Sequence, residues 1–188
     1  MKYTFKDRSL RQPDTGIVAT LGKPDLENFL TIRVDSREQL PIDFNSDYVK
    51  AGRGCVPCFD YALEGDEENF ALERKSLPDF IQSVCIQKNW IRELHKIAKA
   101  KEWELPIFYI LEFSWDDIET YDYSIFTSGA ITSQFVYRRV SEMEFNFGVH
   151  MAFRNSRQGA AYGICLLLKR RKESLRVKTK KVKPNENM

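Results

Sequence analysis

No apolar run in this 188-residue chain is long enough to cross a bilayer. The longest strongly apolar stretch near the C-terminus, Ile164 to Leu168, stops at Lys169. The first ten residues carry charges but no apolar segment follows them, so they do not read as a secretory signal. Cysteine is sparse, and without an export signal the four thiols are expected to be reduced. Cys55 and Cys58 form a Cys-x-x-Cys pair, but Cys85, Cys165, His95 and His150 offer no second pair at zinc-site spacing. No internal repeat or low-complexity stretch precedes the C-terminal tail. These absences point to an intracellular globular protein (cytoplasm or nucleoid, if bacterial or viral).

What is present is an ordinary core composition, with 43% hydrophobic and 30% charged residues in 22.0 kDa. That is one domain's worth of chain. The formal net charge of +2 hides a split. From Lys169 onward nine Lys or Arg face two Glu, a local +7, which leaves the preceding body at −5. An acidic body with a basic tail fits a metal-holding domain that meets an anionic partner.

Along the chain, residues 1–28 hold Pro13, Gly16, Gly22 and Pro24 without a sustained period, and read as a loosely structured lead-in. Thr31 to Asp35 reads as a strand, and Ser36 to Gly54 mostly as loop. Two strand-like runs, Cys58 to Glu64 and Phe70 to Lys75, flank the hairpin loop Gly65 to Asn69. Ser76 can cap a helix with Pro78 and Asp79 in its first turn. Helical spacing recurs from Asn89 to Glu102, and Ile107 to Phe113 reads as a buried central strand. Thr127 to Val140 reads as a helix, Gly148 to Phe153 as a strand, and Ser156 to about Glu173 as a last helix. The pattern predicts an α/β domain with a mixed sheet flanked by helices over 29–172, followed by a basic tail over 173–188.

The chemistry concentrates between Asp60 and Asp79. Alternation along a strand puts Glu73 and Lys75 on one face and Arg74 on the other. Asp60 can lie across the hairpin on the face of Glu73. Two carboxylates and an ammonium at a sheet edge suit phosphodiester hydrolysis. One or two carboxylates can hold Mg²⁺ with positions left for water and phosphate. A nearby Lys can orient or deprotonate the water and offset developing charge. Asp35 and Glu38, at the end of an earlier strand, can join the cluster.

Three blocks, Val34-Asp-Ser-Arg-Glu38, Phe59-Asp-Tyr61 and Leu72-Glu-Arg-Lys-Ser-Leu-Pro-Asp79, together resemble the signature of the XPF-type structure-specific endonucleases. The resemblance continues through Ile110-Leu-Glu-Phe113, Ser114-Trp-Asp-Asp117, Ser128-Gly-Ala130 and Arg154-Asn-Ser156, and covers roughly residues 30–172. It implies the restriction-endonuclease-like fold. It also implies a catalytic set of Asp35, Glu38, Asp60, Glu73, Arg74, Lys75 and Asp79, with Asp35, Asp60 and Glu73 holding Mg²⁺ or Mn²⁺. The implied activity is metal-dependent DNA endonuclease, at branched or flapped DNA. A Holliday-junction resolvase or restriction-like nuclease, and an inert DNA-binding or scaffold module, are the alternatives.

The chain departs from the family pattern in three places. Phe59 stands where a Gly is usual, Asn89 stands where an Arg often precedes the first aromatic of the second helix, and no room remains for a tandem helix-hairpin-helix domain. A stand-alone nuclease domain is therefore expected, and by family habit a homodimer, with the helix from Thr127 and the final helix as candidate interfaces. DNA contacts are expected from Lys88, Arg92, Arg154, Arg157, Lys169, Arg170, Arg171 and Lys172. Trp115, read as lying in a loop after Glu112, is a candidate stacking platform. Trp90 reads as core.

Overall fold

The computed structural model describes residues 29–44, 46–126 and 131–181, with side chains of the last helix described only to residue 177. The lead-in over 1–28 and the segment Ser128-Gly-Ala130 lie outside the described residues. Six strands form one sheet: β1 (Leu30–Asp35), β2 (Val49–Gly54), β3 (Tyr61–Leu63), β4 (Ala71–Lys75), β5 (Ile107–Leu111) and β6 (His150–Phe153). Their spatial order is β2-β1-β3-β4-β5-β6. β3 runs antiparallel to both neighbours, β1 and β4, while the pairs β1–β2, β4–β5 and β5–β6 are parallel. All strands except β3 therefore point the same way. Their C-terminal ends, and the residue entering β3, share one edge of the sheet.

Helices cover both faces. On one side lie α1 (Leu77–Cys85), α2 (Gln87–Glu102) and α4 (Ser133–Phe147); the short α3 (Trp115–Thr120) joins them. Their apolar stripes, including Phe80, Ile81, Val84, Trp90, Ile97, Val136 and Val140, pack on Ala71, Ile107, Tyr109 and Leu111. The opposite face packs Leu30, Ile32, Tyr61, Leu72 and Ile110 against Ala160, Ile164, Cys165 and Leu168 of α5 (Arg157–Lys181). Each fully buried Leu, Ile or Phe contributes roughly 1.5–3 kcal/mol, so these two layers supply most of the drive to fold.

The termini of the helices follow their residues. Ser76 accepts a hydrogen bond from the Asp79 amide, and Pro78 sits in the first turn of α1. Ser114 and Asp117 form a capping box on α3. Gly148, at φ 65°, closes α4 in a left-handed conformation that other residues reach at a cost. Gly159 is needed for proximity: a Cβ there would lie 2.0 Å from the Arg154 carbonyl oxygen.

Several boundaries differ from those read in the sequence. Val49–Gly54 is a strand rather than loop. It is an exposed edge strand with no apolar alternation, held by its pairing with β1. The strand expected over Cys58 to Glu64 contracts to Tyr61–Leu63. Trp115 opens a helix and does not lie in a loop. The helix expected from Thr127 begins at Ser133, because Thr132 supplies the cap, and it runs on to Phe147. The last helix passes Glu173 and continues to Lys181, so the start of the supposed tail is helical.

Candidate active site

The carboxyl edge of the sheet gathers Asp35 from the end of β1, Asp60 before β3, Glu73 and Lys75 on β4, and Glu112 after β5. Backbone bonds fix Asp60 in place: its carbonyl accepts from the Asp35 amide at 2.8 Å and its amide donates to Leu72 at 3.0 Å. The Asp60 Oδ2 accepts the Arg74 amide at 2.9 Å. Phe59 is 1% exposed and packs edge-on to Tyr109. An apolar anchor thus takes the position of the expected Gly and presents Asp60 from a bend. A cleft of about 410 Å³ opens here, lined among others by Asp35, Asp60, Glu73, Lys75, Asp79 and Lys96.

On the α2 face of β4, Glu73 is buried and both Lys75 Nζ, at 3.0 Å, and Lys96 Nζ, at 2.6 Å, lie on its Oε1. Glu73 Oε2 is buried with no hydrogen-bond partner. Glu93 of α2 stands behind, 3.7 Å from Lys75 Nζ and 3.6 Å from Lys96 Nζ, and accepts the Tyr109 hydroxyl. Burial pushes the Asp60 pKa well above its ordinary value, and the neighbouring Glu73 charge adds to the push. Burial would raise Glu73 too, but the Lys75 and Lys96 ammonium groups outweigh it and hold Glu73 at about 2. Burial would lower Lys75, yet Glu73 and Glu93 outweigh it and raise its pKa. Lys75 is thus held as an ammonium by Glu73 and Glu93 in the metal-free arrangement.

The α5 face of β4 is different. Arg74 donates to Glu112 Oε1 at 2.9 Å and to Glu38 Oε1 at 3.0 Å. Arg74, one residue on from Glu73, thus holds Glu38, and both line the cleft with Asp60 and Glu73. Arg157 adds a second cation to Glu112 at 3.3 Å and donates to the Leu40 and Pro41 carbonyls at 2.7 Å each.

Asp35 lines the cleft with both carboxylate oxygens hydrogen-bonded. Its Oδ1 accepts the Arg37 amide at 2.8 Å and Nε at 2.7 Å, and its Oδ2 accepts the Val56 amide at 2.9 Å. Burial would raise the Asp35 pKa, but these bonds, led by Arg37, lower it instead. Asp35 so holds the exposed Arg37 at the rim. Asp79 lines the cleft while accepting the Ser76 hydroxyl at 2.7 Å.

Among the described residues no group of three or more His, Cys, Asp or Glu is arranged to hold a metal ion. Asp60 and Glu73 nevertheless fit a divalent cation. Both offer hard oxygens, Glu73 Oε2 is an orphaned buried acceptor, and the strained ionisation of Asp60 is what a cation would relieve.

The expected DNA-contacting residues separate. Lys88 and Arg92 are exposed on α2, along the side that leads to Lys96. Arg154 packs its stem over Gly159 and Gly163, and the part-exposed Arg157 bonds Glu112 and the Leu40 and Pro41 carbonyls. α5 is about 37 Å long at 1.5 Å per residue and leads away from the cleft. Near its far end Arg171 pairs with Asp66 at 2.6 Å and Lys172 donates to the Phe29 carbonyl. Arg170 pairs with Glu173 at 2.9 Å and Lys169 approaches the same residue. These four are therefore remote from the cleft, and Arg171 and Lys172 secure the helix to the opposite end of the sheet. Trp115, 44% exposed, packs tilted against Phe153 with ring centroids 4.3 Å apart, and Trp90 is buried.

Lys96 and Glu93 were not picked out from the sequence. A signal was present: Trp90, Glu93, Ile97 and Ala100 form the buried stripe of α2, and a carboxylate in such a stripe requires a buried partner.

The mixed sheet flanked by helices is an α/β fold of the restriction-endonuclease-like type. The chain belongs to the ERCC4 domain family, whose profile matches residues 34–167, and it is an XPF-type nuclease domain. Among solved structures it is similar to XPF from Aeropyrum pernix, with a TM-score of 0.56 and 19% identity over 80% of this chain and 69% of that chain. It is also similar to XPF from Aeropyrum pernix in complex with DNA, with a TM-score of 0.52 and 20% identity over 83% of this chain and 68% of that chain. At these identities the likeness is one of fold. No curated protein matches the chain. Among the described residues no helix is long and apolar enough to cross a membrane.

Proposed function

We propose that the chain is a DNA endonuclease that depends on Mg²⁺ or Mn²⁺ and hydrolyses phosphodiester bonds at branched or flapped DNA. The observation that supports it most is the unpartnered Glu73 Oε2 beside Asp60 in a cleft that two lysines also enter. Asp60 and Glu73 would hold the cation, which when bound supplies a Lewis acid for a phosphate oxygen and a more acidic water. Lys75 stays an ammonium, offers N–H donors to the phosphate, and offsets negative charge as it develops. Arg37 at the rim and Lys88 and Arg92 on α2 bind backbone phosphates. Arg74 is a positioning residue, since its guanidinium holds Glu38 and Glu112. A homodimer through α4, where Phe145 is 92% exposed, belongs to the same reading.

The test is cleavage of flap, fork, Holliday-junction and linear duplex DNA with Mg²⁺ or Mn²⁺, using Asp60→Asn and Lys75→Ala as controls. Cleavage of the branched substrates by the wild type alone supports the reading. Cutting of linear duplex as fast as any branch would remove the structure preference. Intact substrates throughout would favour an inert DNA-binding module. Light scattering on the same samples reads the dimer.

A further inference from the structure

Glu73 carries two ammonium groups on a single oxygen, while its other oxygen is buried and empty-handed. The two lysines are not equivalent. Lys75 rises from the same strand and its side chain is 11% exposed, so packing fixes it. Lys96 reaches in from α2, is 31% exposed, and has a flexible four-carbon stem with room toward the cleft. Lys96 also has a second carboxylate within reach. Glu93, one turn earlier on the same helix, lies 3.6 Å from its Nζ and is anchored by the Tyr109 hydroxyl.

We propose that Lys96 is a built-in counter-cation for the metal site: it neutralises Glu73 while no metal is bound, and it withdraws toward Glu93 when a divalent cation binds. The proposal rests on the reading of Asp60 and Glu73 as metal ligands. Its physical basis is competition for one carboxylate. Without Lys96, the metal-free cleft would set Asp60 against a Glu73 relieved only by Lys75. With Lys96 in place, an arriving dication meets an ammonium already on its ligand and is repelled by it. The empty site is stabilised, and the cation concentration needed to fill it rises.

The experiment is Mn²⁺ binding to wild type, Lys96→Met and Lys96→Arg, read by electron paramagnetic resonance of the free ion. Thermal melts with EDTA and with Mn²⁺ accompany it. Lys96→Met should bind Mn²⁺ at least about tenfold more tightly than wild type, because the repelling charge is gone. It should also melt lower in EDTA and recover with Mn²⁺. Lys96→Arg should stay within about threefold of wild type, because the charge is retained. Equal or weaker affinity in Lys96→Met, with the wild type binding Mn²⁺, overturns the proposal and leaves the ligand reading standing. No binding in either overturns both. Should Lys96→Met not fold, the Lys96 ammonium resonance of the wild-type chain decides. Saturating Mg²⁺ should shift it and speed its hydrogen exchange, and an unchanged resonance overturns the proposal.

Discussion

Strand β4 buries charge on both of its faces, and the two faces are balanced differently. On the α5 side, Arg74 and Arg157 meet Glu38 and Glu112, two cations for two carboxylates. On the α2 side, Lys75 and Lys96 meet Glu73 and Glu93, and Asp60 stands beside them as a third carboxylate. The first network is balanced and ties the loop after β1 to the start of α5. The second holds one carboxylate more than it has cations, and residues of both line the cleft. A buried, balanced network serves positioning; a buried surplus carboxylate next to an unpartnered oxygen is where a cation belongs.

Substitutions can break this contrast. The largest effect is expected on the open face. Asp60→Asn and Lys75→Ala should each lower cleavage of a flap substrate about 10³-fold, as for loss of a group acting on transition-state charge. Their melting temperatures should part: metal-free Asp60→Asn rises, while Lys75→Ala falls because Glu73 and Glu93 lose a buried partner. Arg74→Met should act chiefly on stability. Leaving Glu38 and Glu112 buried without their shared cation costs about 3–5 kcal/mol, read by urea unfolding.

The pH dependence sharpens the same contrast. Asp60 has a raised folded-state pKa, so the folded chain binds more protons than the unfolded one once pH exceeds the unfolded value near 3.8. Stability therefore falls as pH rises from that value toward the folded pKa. Asp60→Asn removes this term. The metal-free variant should melt above wild type at neutral pH by about 2–4 °C or more, and the gap should close near pH 4. The smallest effect is expected at the far end of the sheet. Arg171→Ala breaks its pair with Asp66, should cost about 1 kcal/mol or less, and should leave flap cleavage and DNA affinity unchanged.

Much of the open face was legible in the sequence because strand geometry is simple. Alternation assigned Glu73 and Lys75 to one side and Arg74 to the other, and the hairpin loop at Gly65 brought Asp60 alongside. Proximity along the chain was less informative about Asp35 and Glu38. Both end near the cleft, yet Arg37 and Arg74 claim their carboxylates, and only three-dimensional partners reveal that. β2 was invisible because Val49-Lys-Ala-Gly-Arg-Gly54 has no apolar period, and its pairing with β1 supplies what its side chains do not. Glu93 and Lys96 were hidden because a helix reads as core or surface, and a salt network entering from a core stripe looks like neither. The basic stretch from Lys169 was legible as charge but not as structure: α5 leads Arg171 and Lys172 away from the cleft to partners at the other end of the sheet.

The central claim is that Asp60 and Glu73 together hold a divalent cation. Anomalous diffraction from a crystal of the chain soaked in Mn²⁺ tests it most directly. One manganese peak bonded to both Asp60 and Glu73, and absent in Glu73→Gln, is the predicted result. A peak bonded to neither residue, or none at saturating Mn²⁺, would contradict it.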